Sequence, residues 1–99
     1  MIALSVSMRF SPENYAAVEQ YIPELTELSR KDTGCVEYWW ALSMDEPQTL
    51  RLFEVWESEE SLQEHLSKPH EKKFMADYLP KILSSEVITY DPTKATRGG

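Results

Sequence analysis

Glycine is nearly absent from this chain: Gly34, Gly98 and Gly99 are the only three in 99 residues. No glycine-rich loop can therefore cradle the phosphates of a nucleotide, NAD or FAD, and no G-x-S-x-G nucleophile elbow occurs. Cysteine is scarcer still. The single Cys35 excludes an internal disulfide framework and leaves too few thiols for a zinc ribbon or an iron–sulfur cluster. It reads as a small packed hydrophobe at the start of a strand. Positive charge is also short, with 10 Lys and Arg against 17 Asp and Glu and a net charge of −7. Nucleic acid and anionic membrane surfaces would be approached against long-range repulsion and are not expected as partners. No apolar run nears the roughly eighteen residues of a membrane span, and the opening "MIALSVSMRF" has no basic leader. The expected protein is soluble and cytoplasmic.

What the chain does have is bulk. Three Trp and five Tyr are a heavy aromatic load for a domain whose small size limits its core, so some of them must line a cavity or an interface. Residues 2–10 alternate, with Ile2, Leu4, Val6, Met8 and Phe10 on one side, the period of a half-buried strand. Ser11 and Pro12 start a helix whose stripe runs through Tyr15, Val18, Ile22, Leu25 and Leu28, with a kink expected at Pro23 and an end at Gly34. "CVEYWWALS" and "TLRLFEVWE", joined by the turn "MDEPQ", make a hairpin. Ser58 caps a second helix with Glu59 and Glu60 in its first turn, and Ser67 and Pro69 read as a new cap and restart, carrying a further helix to Pro80. "EVITYD" is the last strand. The expected organisation is one domain over residues 1–91 and a mobile tail, "PTKATRGG", over 92–99. The order βαββαβ predicts an α+β, ferredoxin-like sandwich: a four-stranded antiparallel sheet with helices on one side.

Pairing the hairpin without a bulge sets Tyr38 opposite Glu54, Trp40 opposite Leu52 and Val36 opposite Trp56. One face then carries Val36, Tyr38, Trp40, Leu42, Leu52, Glu54 and Trp56; the other carries Cys35, Glu37, Trp39, Ala41, Arg51, Phe53 and Val55. Both are substantially apolar, whereas a sheet with one wet face should alternate cleanly. Helices cover only one face, so a second copy of the chain is the simplest cover for the other, giving a homodimer in which two sheets close a barrel.

Both histidines lie in "EVWESEESLQEHLSKPH". His65 follows Leu62 by three positions and sits beside Leu66, on the inward side of its helix. An imidazole in an apolar setting has a lowered proton affinity and can serve as a neutral base, or it can simply bond a backbone carbonyl. His70, three after Ser67, is expected to cap the helix start or face solvent. Five positions separate the two rings and Pro69 breaks the helix between them, so no metal site is expected. Glu54, pointing into the layer of Tyr38 and Trp40, must find a partner or take up a proton; it organises the interior through a Tyr or backbone bond, the favoured reading, or acts as an acid/base. Trp40, Trp56, Phe74 and Tyr78 either wall a pocket for a flat ring system or form core.

"SRKDTGCVEYWWA" and "LRLFEVWESEESLQEHLSKPHEKKF" together resemble the antibiotic biosynthesis monooxygenase (ABM) domain family of dimeric α+β barrels. Gly34, Cys35 and Tyr38 opening the second strand, Glu54 and Trp56 ending the third, then His65, Pro69 and His70, meet its pattern over nearly the whole chain except the tail. The resemblance is specific for fold and broader for reaction. Members oxidise polycyclic phenols or quinols without a cofactor, transform a small signalling sugar derivative, or degrade haem. The haem branch uses a first-strand Asn, a helical Trp and a later His; here Ser5, Ser7 and Met8, then His65, then Phe74 or Met75 stand in those places, so haem is not implied. The cofactor-independent branch implies a dry aromatic pocket in which the substrate itself supplies the electrons to O2. His65 would be the base, Tyr38 or Tyr78 a donor to the oxyanion, and Trp40, Trp56 and Phe74 would stack the ring, with Glu54 beside them. The alternatives are a non-oxygenase barrel, isomerase or metabolite binder, and a purely structural dimerisation module whose interior is filled.

Overall fold

The alternation in residues 2–10 does make a strand, β1 (Ile2–Arg9), and its even-numbered side chains set the floor of the core. In the computed structural model, which describes residues 1–92, 94–96 and 98, β1 is followed by α1 (Pro12–Arg30), β2 (Cys35–Leu42), β3 (Thr49–Trp56), α2 (Glu59–Leu66), α3 (Pro69–Tyr78), a single 3-10 turn (Leu79–Lys81) and β4 (Ser84–Tyr90). The sheet order is β2-β3-β1-β4 with every neighbouring pair antiparallel, the ferredoxin-like arrangement expected from βαββαβ. Of the expected tail, Thr93, Arg97 and Gly99 lie outside the described residues; the described remainder of 92–99 carries no regular secondary structure.

Local chemistry explains the elements. Ser11 accepts from the Asn14 amide at 3.3 Å and Pro12 occupies the first turn of α1, where its missing N–H costs nothing. The helix runs as one element through Pro23; Val18, Tyr21, Leu25 and Ser29 are buried and Tyr15 and Ile22 pack half-buried against the core, while Leu28, the expected end of the stripe, is exposed. It stops at Lys31, whose amide reaches the Leu28 carbonyl at 3.1 Å; Gly34 lies beyond, in a turn with φ +82°. That turn needs glycine twice over, because a Cβ there would also collide with Ser61 of α2. Ser58 caps α2 in a reciprocal bond with Ser61. Ser67 closes α2 instead of opening α3, whose N-cap is Lys68.

Tyr38 pairs with Glu54 and Trp40 with Leu52, but a bulge between Cys35 and Glu37 changes the end of the hairpin. Cys35, not Val36, sits opposite Trp56; Cys35 packs on the core and Val36 is 47% exposed. A bulge inserts one residue and flips the side chains beyond it. On the helix-covered face, Val6, Met8, Leu50, Leu52, Tyr38 and Trp56 meet Val18, Tyr21, Leu25, Leu62 and Phe74 in one core. On the other face, Trp39 packs against Phe53 with ring centroids 5.7 Å apart. A concavity of about 380 Å3 opens there, bordered by Ser5, Trp39, Ala41, Arg51, Leu52 and Phe53. Among the described residues no helix is long and apolar enough to cross a membrane.

Candidate functional site

Three breaks in regular structure build the site. The chain leaves α1 through Asp32, whose amide returns to the Ser29 carbonyl at 3.1 Å, and the Gly34 turn presses this loop against α2. Then α2 ends just after His65, with the Lys68 amide on the His65 carbonyl at 3.0 Å, and Pro69 starts α3 in a new direction. On one unbroken helix, residues five apart would point roughly 140° away from each other. The break removes that constraint and brings the two imidazoles to a centroid distance of 5.8 Å.

One carboxylate oxygen joins them. Asp32 Oδ2 lies 2.8 Å from His65 Nδ1 and 2.8 Å from His70 Nε2, so His70 turns to Asp32 and not to Ser67 or solvent. On its far side, His65 Nε2 is 3.2 Å from Glu71 Oε2, within ion-pair range but outside hydrogen-bond alignment. The His65 ring is 0% exposed, stacked on Trp56 at 4.5 Å and met edge-on by Tyr38 at 5.7 Å. Burial alone disfavours its charged form, yet the Glu71 and Asp32 carboxylates outweigh burial and raise its pKa above the ordinary imidazole value. The expectation of a lowered proton affinity is therefore corrected: the surroundings of His65 are apolar only where the Trp56 and Tyr38 rings lie.

The other residues singled out from the sequence form one continuous layer with His65. Glu54 is buried, and burial raises its pKa although Trp56 Nε1 donates to its Oε1 at 2.8 Å; its organising partner is a tryptophan, not a Tyr or the backbone. Trp40 Nε1 donates to the Tyr38 hydroxyl at 3.3 Å, and burial raises the Tyr38 pKa well above the phenol range. Phe74 lies 5.6 Å from Trp40 and 5.7 Å from Tyr78. Tyr38, Trp56 and Phe74 are buried core, while Trp40 and Tyr78 are half-buried at its edge. Sequence reasoning missed Asp32 and Glu71. Asp32 lies in sequence between the end of one helix and the Gly34 turn, and Glu71 in the first turn of another helix, where an acid needs no other explanation.

The arrangement is a buried chain of acid and imidazole groups, Glu71, His65, Asp32 and His70, roofed by aromatic rings. It can hold and pass protons, and its imidazole–carboxylate donors suit a cation. Fold and site together define a member of the ferredoxin-like α+β proteins with a polar cluster between helix and sheet. The antibiotic biosynthesis monooxygenase profile matches residues 1–77, and the chain belongs to that family. Among solved structures, a candidate antibiotic biosynthesis monooxygenase from Deinococcus radiodurans superposes with TM-score 0.87 at 17% identity, covering 100% of this chain and 99% of the other. The Rv0793 protein of Mycobacterium tuberculosis gives 0.87 at 23% identity, covering 97% and 98%. A possible oxidoreductase from Bacteroides thetaiotaomicron gives 0.80 at 22%, covering 90% and 94%. At these identities the likeness is one of fold. No curated protein matches the chain.

Proposed function

We propose that this protein is a cofactor-independent monooxygenase that oxidises a small quinol-like or polycyclic phenolic compound with O2, acting in the cytoplasm as a homodimer. The observation that carries the reading is the His65 imidazole held between the Glu71 and Asp32 carboxylates directly beneath Tyr38. An electron-rich phenol becomes reactive toward O2 only as its anion, so the protein's task is to take a proton and stabilise the charge left behind. In this reading the Glu71–His65 pair receives the proton, with His65 supplying positive charge to the nascent anion. Tyr38 donates to that anion, and Trp40 and Tyr78 stack the ring at the half-open edge of the layer. Glu54, Trp56 and Phe74 hold the wall. The homodimer is supported by the outer sheet face, where Trp39, Ile88 and Tyr90 are exposed beside the concavity.

The test is oxygen uptake with a panel of hydroquinones and anthrones. Substrate-dependent consumption should fall by about 10²–10⁴-fold in His65→Gln and Glu71→Gln, the range general acid–base groups contribute. No uptake by the parent protein, or variants as active as the parent, would overturn the proposal. The filled interior around Trp56 and Phe74 favours one competing reading, a purely structural dimerisation module. That reading predicts association of the chain with neither ligand binding nor oxygen uptake, whereas a small-metabolite isomerase or binding protein would bind or rearrange a ligand with no oxygen drawn.

A further inference from the structure

We propose that Asp32, His65 and His70 bind a divalent first-row transition-metal ion, with Glu71 as the carboxylate that orients His65 from behind. One ligand atom from each of the three lies within 4.8 Å of the others, in the only such grouping of His, Cys, Asp or Glu among the described residues. A tetrahedral ion with bonds of about 2.1 Å spaces its donors roughly 3.4 Å apart. The present spread, from 2.8 Å to 4.8 Å, brackets that value, so small side-chain rotations would seat an ion. Two imidazole nitrogens and one carboxylate oxygen suit zinc or iron rather than calcium or magnesium, and three protein donors leave a position open.

Proton positions give a second, independent argument. Asp32 Oδ2 accepts at 2.8 Å from both rings, so each ring must carry hydrogen on the nitrogen facing it. The fully buried His65 Nε2 has no hydrogen-bond partner although the Glu71 carboxylate lies 3.2 Å away; a neutral ring with its hydrogen on Nδ1 would set a lone pair against that carboxylate, whereas a protonated ring would face both acids with hydrogen. A cation on Nδ1 reverses the arrangement: the neutral ring keeps its hydrogen on Nε2 and donates to Glu71. Metal-bound histidines are commonly oriented by a carboxylate in this way. The Asp32 and His70 side chains are 9% and 10% exposed, which gives an ion a route in from the surface without opening the core. The inference competes with the oxygenase reading for His65, because a ring with an ion on Nδ1 and hydrogen on Nε2 takes no further proton; binding is measured without turnover, so failure of one reading is distinguishable from failure of the other.

The test uses the full chain without an affinity tag, stripped with chelator and dialysed. Calorimetric titration with Zn2+, and with Fe2+ under anaerobic conditions, should show one ion per chain at micromolar affinity or tighter. Co2+ should give the visible absorption of a low-coordinate site. His70→Ala and Asp32→Asn should each weaken binding at least 10-fold, and Glu71→Gln by about 10–100-fold, as loss of an outer-shell carboxylate does. Cys35→Ser should leave binding unchanged, which separates the site from an adventitious thiolate. Where His70→Ala melts early, His70→Gln takes its place. Whichever of Zn2+ and Fe2+ binds more tightly, saturable binding lost with His70 supports the site. No saturable binding of any of the three ions, or binding that survives loss of both His70 and Asp32, overturns it.

Discussion

The two faces of the sheet differ in kind although both are rich in aromatic residues. On the helix side, Trp56, Tyr38 and Phe74 are enclosed, and the buried acid and imidazole groups among them meet one another or an indole: Glu54 meets Trp56, and His65 meets Asp32 and Glu71. On the outer side, the row Trp39, Phe53, Ser5 and Ile88 crosses all four strands, with Trp39 43% exposed and no second layer among the described residues. Aromatic content alone therefore distinguishes neither core from surface nor site from scaffold. What separates the faces is burial of charge. Desolvated carboxylates and imidazoles gather only under the helices, where removing any one leaves the others exposed to the full cost of burial.

The largest effect should come from cutting into that enclosed side. Trp56 is 0% exposed, stacks on His65 and holds Glu54 by its indole N–H, so Trp56→Ala should cost about 3–5 kcal/mol. Urea unfolding of this variant beside Trp39→Ala, measured at equal chain concentration, breaks the comparison if the two lose similar stability. Next comes Gly34→Ala. It combines a left-handed backbone position with a collision against Ser61, and should destabilise by about 1–3 kcal/mol. Because the same turn carries Asp32 to His65, the variant should also loosen the cluster, which loss of the His65 and His70 ring-proton shifts on Asp32 contact would report by NMR.

How much of this was legible beforehand follows from the range of the interactions. Strands, helices and their order arise from local periodicity and caps, so Ser11, Ser58 and the alternation of β1 declared themselves. The bulge at Cys35/Glu37 did not, since it depends on how the turn at Gly34 meets α2. His65 is recognisable as an inward-facing ring, but the direction of its pKa shift is not, because both carboxylates come from segments 33 positions upstream and six downstream. The interval of five and Pro69 seemed to separate His70 from His65; in three dimensions that same break joins them. Tertiary convergence of acids on a buried base leaves no periodic trace in a single sequence.

A pH titration of stability sharpens the contrast at a smaller scale. His65 has its pKa raised in the fold above the ordinary 6.5, so the folded state binds that proton more tightly than the unfolded chain does. Its contribution is therefore fully present below pH 6.5 and is lost as the pH climbs through the folded-state value. Glu54, raised from 4.5, has the same sign in a lower window, where stability declines as that carboxyl ionises in its buried site. With chelator present, unfolding free energy should fall on the alkaline side of pH 6.5 with a slope of at most about 1.4 kcal/mol per pH unit, the limit for one proton. His65→Gln should flatten that limb and leave the acidic limb in place. An unchanged alkaline limb would show that His65 is not held charged by its neighbours.

The smallest effect on folding should be found on the outer face, and its smallness is informative. Trp39→Asp replaces a half-exposed ring on a surface that no other element among the described residues covers, so the isolated fold should shift by no more than about 0.5 kcal/mol. Association is a different matter. If a second copy covers the row of Trp39, Phe53 and Ile88, a charge placed at its centre is buried without a partner and the pair should separate. Sedimentation at micromolar concentration should then show dimers for the parent chain and single chains for Trp39→Asp, both with parent-like circular dichroism. A parent chain that sediments alone would mean that this aromatic face is exposed for some other occupant. A variant that unfolds would mean that the outer face carries stability within one chain, and the division between the two sides of the sheet would fail.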